Sequence, residues 1–132
     1  MKYYLLMYAQ EKAGAALPKA EMDSWIAEIN AWQDDMKKAG VLLKGNGLHQ
    51  TSAAATVRVQ NGKKTVTHGP FAETKEQLGG FYLIDCKNLD EATDWAAKAP
   101  GARFGSVEVR PVWDMELSDT IVEARKRGLI QS

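Results

Sequence analysis

Residues 18–39 place apolar side chains at helical spacing between a proline and a glycine, and this stretch sets the plan of the whole chain. Met22, Trp25, Ile26, Ile29, Trp32, Met36 and Ala39 fall on one stripe of a helix. Pro18 suits the first turn, where its missing N–H is not needed. Glu21 and Asp23 lie early and Lys37 and Lys38 late, which complements the helix dipole. Gly40 stands where a helix commonly ends in the left-handed conformation. The Trp and Met stripe reads as core packing rather than as a cofactor box. Such a helix must bury its apolar face on something, and short apolar strands lie on both sides of it.

The first of these is residues 2–8. Tyr3, Leu5 and Met7 alternate with Tyr4, Leu6 and Tyr8, and both sets are apolar. A strand of that kind needs cover on both faces. Helices would cover one face, and a second subunit is the simplest cover for the other. Residues 41–48 form the next strand, in which Gly45 and Gly47 mark a bulge or a close approach by another group. Residues 56–60 and 63–67 flank Asn61 and Gly62, a strong hairpin signal. Residues 80–86 make a further strand. A second helix runs over 88–99, with Asn88 as its cap and Glu91 three residues on in a capping-box pattern. Its buried stripe is Leu89, Ala92, Trp95, Ala96 and Ala99, and Pro100 with Gly101 stops it. In the last core strand, 106–113, Val107, Val109 and Trp113 alternate with Glu108 and Arg110. Residues 119–128 read as a short tail helix. The order β-α-β-(hairpin)-β-α-β is the ferredoxin-like α+β plan with an inserted hairpin.

Composition narrows the function classes. At 132 residues the chain is long enough for one core, and residues 1–132 read as a single domain with 117–132 as a tail helix. Lysine and arginine number 17, as do aspartate and glutamate, so no strong field favours nucleic acid or an anionic membrane. Cys86 is the one cysteine, which rules out an intrachain disulfide and suits a reducing compartment. No stretch approaches the roughly 20 apolar residues of a membrane span, and the start lacks a secretory pattern. A cytoplasmic location is expected.

The most distinctive run is His68, Gly69, Pro70, Phe71, Ala72, Glu73, Thr74, Lys75, Glu76, Gln77, Leu78, Gly79, Gly80, ending in the strand through Asp85. It resembles the signature of the DGPF family, one of the YCII-related proteins. The opening Met1–Tyr8 segment and the segment from Pro100 to Val112 resemble the family's first and last strands, so the likeness covers nearly all of residues 1–115. It implies a small bacterial protein of the dimeric α+β barrel group, in which two sheets pack face to face. Members usually carry Asp where this chain has His68, so a carboxylate role at that position has no bearer here. Some YCII-type proteins carry a His and an Asp on the first helix and the neighbouring turn; this first helix contains no His, and that pair does not transfer.

Chemistry-bearing candidates follow from the same run. Gly69-Pro70 forces a turn, Phe71 is expected to anchor the loop in the core, and residues 73–77 are expected to form a short helical turn rich in donors and acceptors. His68 is the side chain suited to exchange protons near neutral pH, and Glu73 could orient it; these two are the catalytic candidates. Thr74, Lys75, His49 and Arg103 are the ligand-lining candidates, Arg103 because its planar fork can clamp a carboxylate. Arg110 is expected to face solvent or an acid such as Glu108 on a neighbouring chain. No His-x-x-x-His or Cys-x-x-Cys spacing marks a metal site, and the glycine pairs lack the spacing of a phosphate loop. Cys86 ends an apolar strand and reads as buried and inert. No cofactor is expected.

Two function classes compete. One is a homodimer binding a small molecule in a cleft, as a cofactor-free enzyme by analogy with the lyases, isomerases and monooxygenases of the barrel group. The other is a ligand-sensing module; the resemblance implies a link to extracytoplasmic-function sigma factors. No nucleic acid and no membrane are expected as partners.

Overall fold

The computed structural model describes residues 1–113 and 117–130. Strand β1 (Lys2–Ala9) leads through a short helix α1 (Glu11–Ala15) into the long helix α2 (Lys19–Lys38), then β2 (Leu42–Gly47), the hairpin β3 (Ala55–Gln60) and β4 (Lys63–His68), β5 (Gln77–Asp85), α3 (Leu89–Ala97), β6 (Ser106–Pro111) and α4 (Leu117–Lys126). One-turn 3₁₀ segments at Thr51–Ala53 and Pro100–Arg103 join β2 to β3 and α3 to β6.

Four strands form one antiparallel sheet in the order β2-β5-β1-β6, and β3 and β4 pair separately. With the hairpin set aside, this is the ferredoxin-like order, so the α+β expectation holds. β1 lies in the middle because it pairs with β5 on one side and β6 on the other: Leu5 opposes both Tyr82 and Val109. Directly opposed residues share a face. The core face therefore carries Tyr3, Leu5, Ile84, Val107 and Val109, against which Trp32 and Met36 of α2 and Ala92 and Ala96 of α3 are packed. Met36 is fully buried, worth about 1.5–3 kcal/mol of transfer free energy. On the other face Tyr4, Leu6, Phe81 and Leu83 are only half-buried and lie outside this core.

The local signals work as chemistry dictates. Asn88 Oδ1 accepts from the Glu91 N–H at 3.0 Å, and Glu91 Oε2 accepts in return from the Lys87 N–H at 2.9 Å, one residue earlier than a standard capping box. Gly40 (φ 73°) ends α2 as expected. Asn61 (φ 51°) and Gly62 (φ 76°) make the primed hairpin turn. Gly69 (φ 103°) turns the chain out of β4 while its N–H bonds to the Ala54 carbonyl at 2.7 Å.

Several expectations are corrected. Residues 69–76 contain no helical turn, and Phe71, 76% exposed, anchors nothing. The strand that was expected from Gly80 begins at Gln77, so Gly79 and Gly80 lie inside it. A register shift between Met7 and Tyr8 absorbs Gly79, which leaves Met7 opposite Gly80 and Tyr8 opposite Leu78. β6 stops at Pro111, short of Trp113. Ile26 and Leu89, placed on buried stripes by periodicity, are about half exposed. Arg110 faces solvent, as expected, and pairs there with Glu108 of its own strand at 2.9 Å. The short helix α1 carries no sequence signal of its own.

Gly105 shows how tightly β6 docks. A Cβ there would overlap the carbonyl oxygen of Tyr8 and press on Ala9. Both obstacles are backbone, so neither can rotate away. Gly105→Ala is expected to destabilise the fold by about 1–3 kcal/mol. Gly14→Ala, in open space on α1, is the control and is expected to be neutral or slightly stabilising. Urea unfolding of the two variants checks the contrast.

Candidate functional site

The sheet is covered unevenly. α2 is buried on it at Trp32 and Met36, but Met22, Trp25 and Ile29, on the same stripe one to four turns earlier, are only half-buried. Beneath that half of the helix the strands carry glycine. Gly47 of β2 opposes Gly80 of β5, which opposes Met7 of β1. A Cβ on Gly80 would lie 3.0 Å from the Asn46 carbonyl oxygen, so a side chain there would push the two strands apart. The bare floor leaves a cavity of about 800 Å³ between α2 and the sheet, within the 300–1,000 Å³ typical of small-molecule sites.

Its wall is mostly apolar and aromatic. Trp25 meets Phe104 edge to face with ring centroids 5.0 Å apart, and Trp32 meets Tyr82 in the same way at 4.9 Å. Trp32 is held in place because its Nε1–H donates to the Trp95 carbonyl at 3.1 Å. Gly101 and Arg103 of the 3₁₀ segment close one end, with Met7 Cε 3.4 Å from where a Gly101 Cβ would stand.

The polar wall groups are Gln10, Glu11, Glu21, Ser24, Glu28, Asn46, Gln77 and Arg103. Arg103 donates to Glu28 Oε2 at 2.6 Å, tying the end of the 3₁₀ segment to α2. Both side chains are about half exposed, so the pair adds little stability, on the order of 0–1 kcal/mol; its value is positional. Glu11 is a bracket for the opposite rim. Its N–H donates to Gln77 Oε1 at 3.0 Å, and its carboxylate accepts from the Thr51 N–H at 2.7 Å and the Thr51 hydroxyl at 2.8 Å. Three segments distant in sequence are thereby fixed around one opening.

Of the six catalytic and ligand-lining candidates, Arg103 alone lines this cavity. His68 ends β4 and is exposed, and His49 is exposed on the connection after β2. Glu73, Thr74 and Lys75 are exposed on the connection between β4 and β5. There the Thr74 hydroxyl donates to the Glu76 carbonyl, Gln77 Nε2 donates to the Thr74 carbonyl at 2.6 Å, and Ser106 donates to Glu76 Oε1 at 2.9 Å. The signature run thus braces β5 against β6, and its contribution to the cavity wall is Gln77, Gly79 and Gly80. The wall residues that sequence reading assigned to the core, Met22, Trp25, Ile29 and Trp32, carried one usable signal: an aromatic stripe that folds opposite a strand interrupted by glycines. Among the described residues no group of three His, Cys, Asp or Glu side chains could hold a metal ion, and no helix is long and apolar enough to cross a membrane.

Comparison with known proteins places the chain. The family model for the YCII-related domain matches residues 1–116. An uncharacterized protein of Rhizobium meliloti (strain 1021) is 46% identical over 114 residues, which span 85% of this chain and 92% of that relative.

Cys86 lies away from the cavity. Burial pushes its thiol above the ordinary value, and the nearby Glu91 carboxylate pushes it further the same way. The thiolate is the nucleophile, so Ellman's reagent at pH 8 is expected to label the native protein at least about tenfold more slowly than the unfolded chain. A group whose folded-state acidity is weakened in this way loses its proton first in the unfolded chain. Its contribution to stability is present below the ordinary thiol value and fades as pH rises past it. Cys86→Ser is expected to remove that part of the alkaline slope in urea titrations.

Proposed function

We propose that this chain, which belongs to the YCII-related family, works as a homodimer in which each subunit binds a small molecule in the cavity beneath α2. The observation that carries the reading is the cavity itself: about 800 Å³, walled by two aromatic pairs and a few fixed polar groups. Isolated sites of this size in a small domain are few, and such composition is that of ligand sites rather than of packing defects. A packing defect would be small and dry; this space is braced around its rim by Glu11–Thr51 and Arg103–Glu28.

Support for the dimer comes from the opposite side of the sheet. Tyr4, Leu6, Phe81 and Leu83 form an apolar stripe across β1 and β5, with Tyr4 and Phe81 in edge contact at 6.0 Å. Glu108 and Arg110 lie beside them on β6. An apolar sheet face with a polar rim is the form of a protein interface, and a second copy of the same face is its simplest cover.

For turnover the cavity offers carboxylates at Glu21 and Glu28 as proton acceptors. Binding without turnover would use the same cavity as a sensor, the form that a link to sigma-factor signalling requires. Glu73, Thr74 and Lys75 are proposed here only as surface groups of the connection that braces β5 against β6, and His68 and His49 only as exposed groups at the end of β4 and after β2; Glu73→Ala tests the first placement.

Screening small metabolites by thermal shift is expected to find compounds that raise the melting temperature; a ligand at 100 times its Kd adds about 2.7 kcal/mol. Ile29→Trp, which fills the cavity, is expected to abolish those shifts with the dimer intact. Glu73→Ala is expected to leave them unchanged, whereas loss of binding in that variant would move the site to the signature loop. In sedimentation, Leu6→Glu is expected to yield monomers at micromolar concentration where the parent chain is dimeric. A monomeric parent chain overturns the dimer.

A further inference from the structure

We infer that the cavity beneath α2 selects a small organic cation: an amine or related ammonium carried on an aromatic or compact apolar body. This rests on the cavity being a ligand site and specifies what charge it takes. The wall holds three carboxylates, Glu11, Glu21 and Glu28, against one guanidinium, Arg103, a formal surplus of two negative charges. The positive group is already engaged, because Arg103 sits 2.6 Å from Glu28. A ligand carboxylate would have to share that guanidinium with Glu28 and stand beside its like charge. A ligand cation meets no such obstacle.

The carboxylates differ in availability. Glu11 accepts two hydrogen bonds from Thr51 and is committed to the rim. Glu21, in the first turn of α2, makes no ion pair among the described residues. It is four residues from Trp25 and therefore on the same side of the helix. An acid beside an aromatic face is the pairing that recognises ammonium groups, through charge and through the negative face of the ring.

The chain supplies its own example of a cation held here. Besides its bond to Glu28, the Arg103 guanidinium lies 5.7 Å from the centroid of Phe104, whose ring packs on Trp25. This corner of the wall thus already holds one cation between a carboxylate and a ring. The remaining acid, Glu21, and the remaining rings extend the same arrangement across the opening. The apolar remainder of the lining, including Met7, Met22 and Ile29, limits the ligand to one charged group on an otherwise apolar frame.

The test uses the full-length chain and three probes of matched size, 2-phenylethylamine, 2-phenylethanol and phenylacetate, each competing with the neutral dye Nile red. The amine is expected to bind at least tenfold more tightly than the alcohol, with the acid weakest. Raising salt from 50 to 500 mM is expected to weaken the amine alone. Glu21→Gln is expected to shrink the preference for the amine to under threefold without changing the affinity for the alcohol or the helical circular dichroism. Equal or tighter binding of the alcohol or the acid overturns the charge selection and leaves the cavity as a ligand site. Dye binding that none of the three displaces has the same meaning, provided Ile29→Trp removes the dye. Failure of the dye to bind at all overturns the ligand site and the cation together.

Discussion

Helix α2 is seated on the sheet at one end only, and the rest of the structure follows from that. At its C-terminal half Met36 and Trp32 are buried with Tyr3, Leu5 and Ile84, and Val41 closes the turn behind them. Those contacts fix the helix axis. At the N-terminal half the strands beneath have Gly47 and Gly80 where side chains would otherwise fill the gap. The axis cannot tip down to close the space, because its other end is pinned in a close-packed core. A rigid anchor and a bare floor thus produce a void with defined walls. Gly80 is not free to change either: a Cβ there would press on the backbone of Asn46 and Gly47, at 3.0 and 3.3 Å. The void is written into strand pairing as much as into the helix.

This explains which parts of the molecule were legible in the sequence. Helices, strands, the hairpin and the caps rest on local rules, and Gly40, Asn61, Gly62 and Asn88 act where those rules put them, while Pro18 stands one residue before the first turn, at the N-cap of α2. The order of elements then restricts the sheet to few topologies. The cavity is different in kind. Periodicity says that Trp25 and Trp32 point to the same side of a helix; it does not say whether that side meets side chains or space. Met22 and Met36 occupy the same stripe, yet one borders the cavity and the other is fully buried. The difference lies in the strands below, more than ten residues away. Likewise Glu11 reaches Thr51 across 40 positions, and no local pattern announces that bond.

The signature loop misled for a related reason. Gly69 turns the chain into residues 69–76, whose other end is the start of β5 rather than a glycine, and polar groups there bond to the loop itself: Thr74 to Glu76, and Gln77 to Thr74. Side chains satisfied by their own backbone have less to offer a ligand. Phe71 points out because the hairpin beside it is a separate two-stranded sheet that presents no core for the ring to enter. A distinctive string of residues can therefore mark a structural brace, while the ligand-sized space lies behind less distinctive glycines.

The alternation of β1 and β5 has one more consequence. Met7 and Gly80 face the cavity, while Leu6 and Phe81, their immediate neighbours, face the open side of the sheet. Cavity floor and proposed dimer face are two sides of the same two strands, separated by a single layer of backbone. A partner pressing on Leu6 and Phe81 would hold β1 and β5 in the register that keeps Gly80 beneath α2. A ligand filling the cavity would resist the same displacement from above. Both would act on the bulge at Met7 and Tyr8, the irregular point of that pairing. Coupling of this kind is reciprocal: whatever factor dimerisation adds to ligand affinity, the ligand must add to dimerisation.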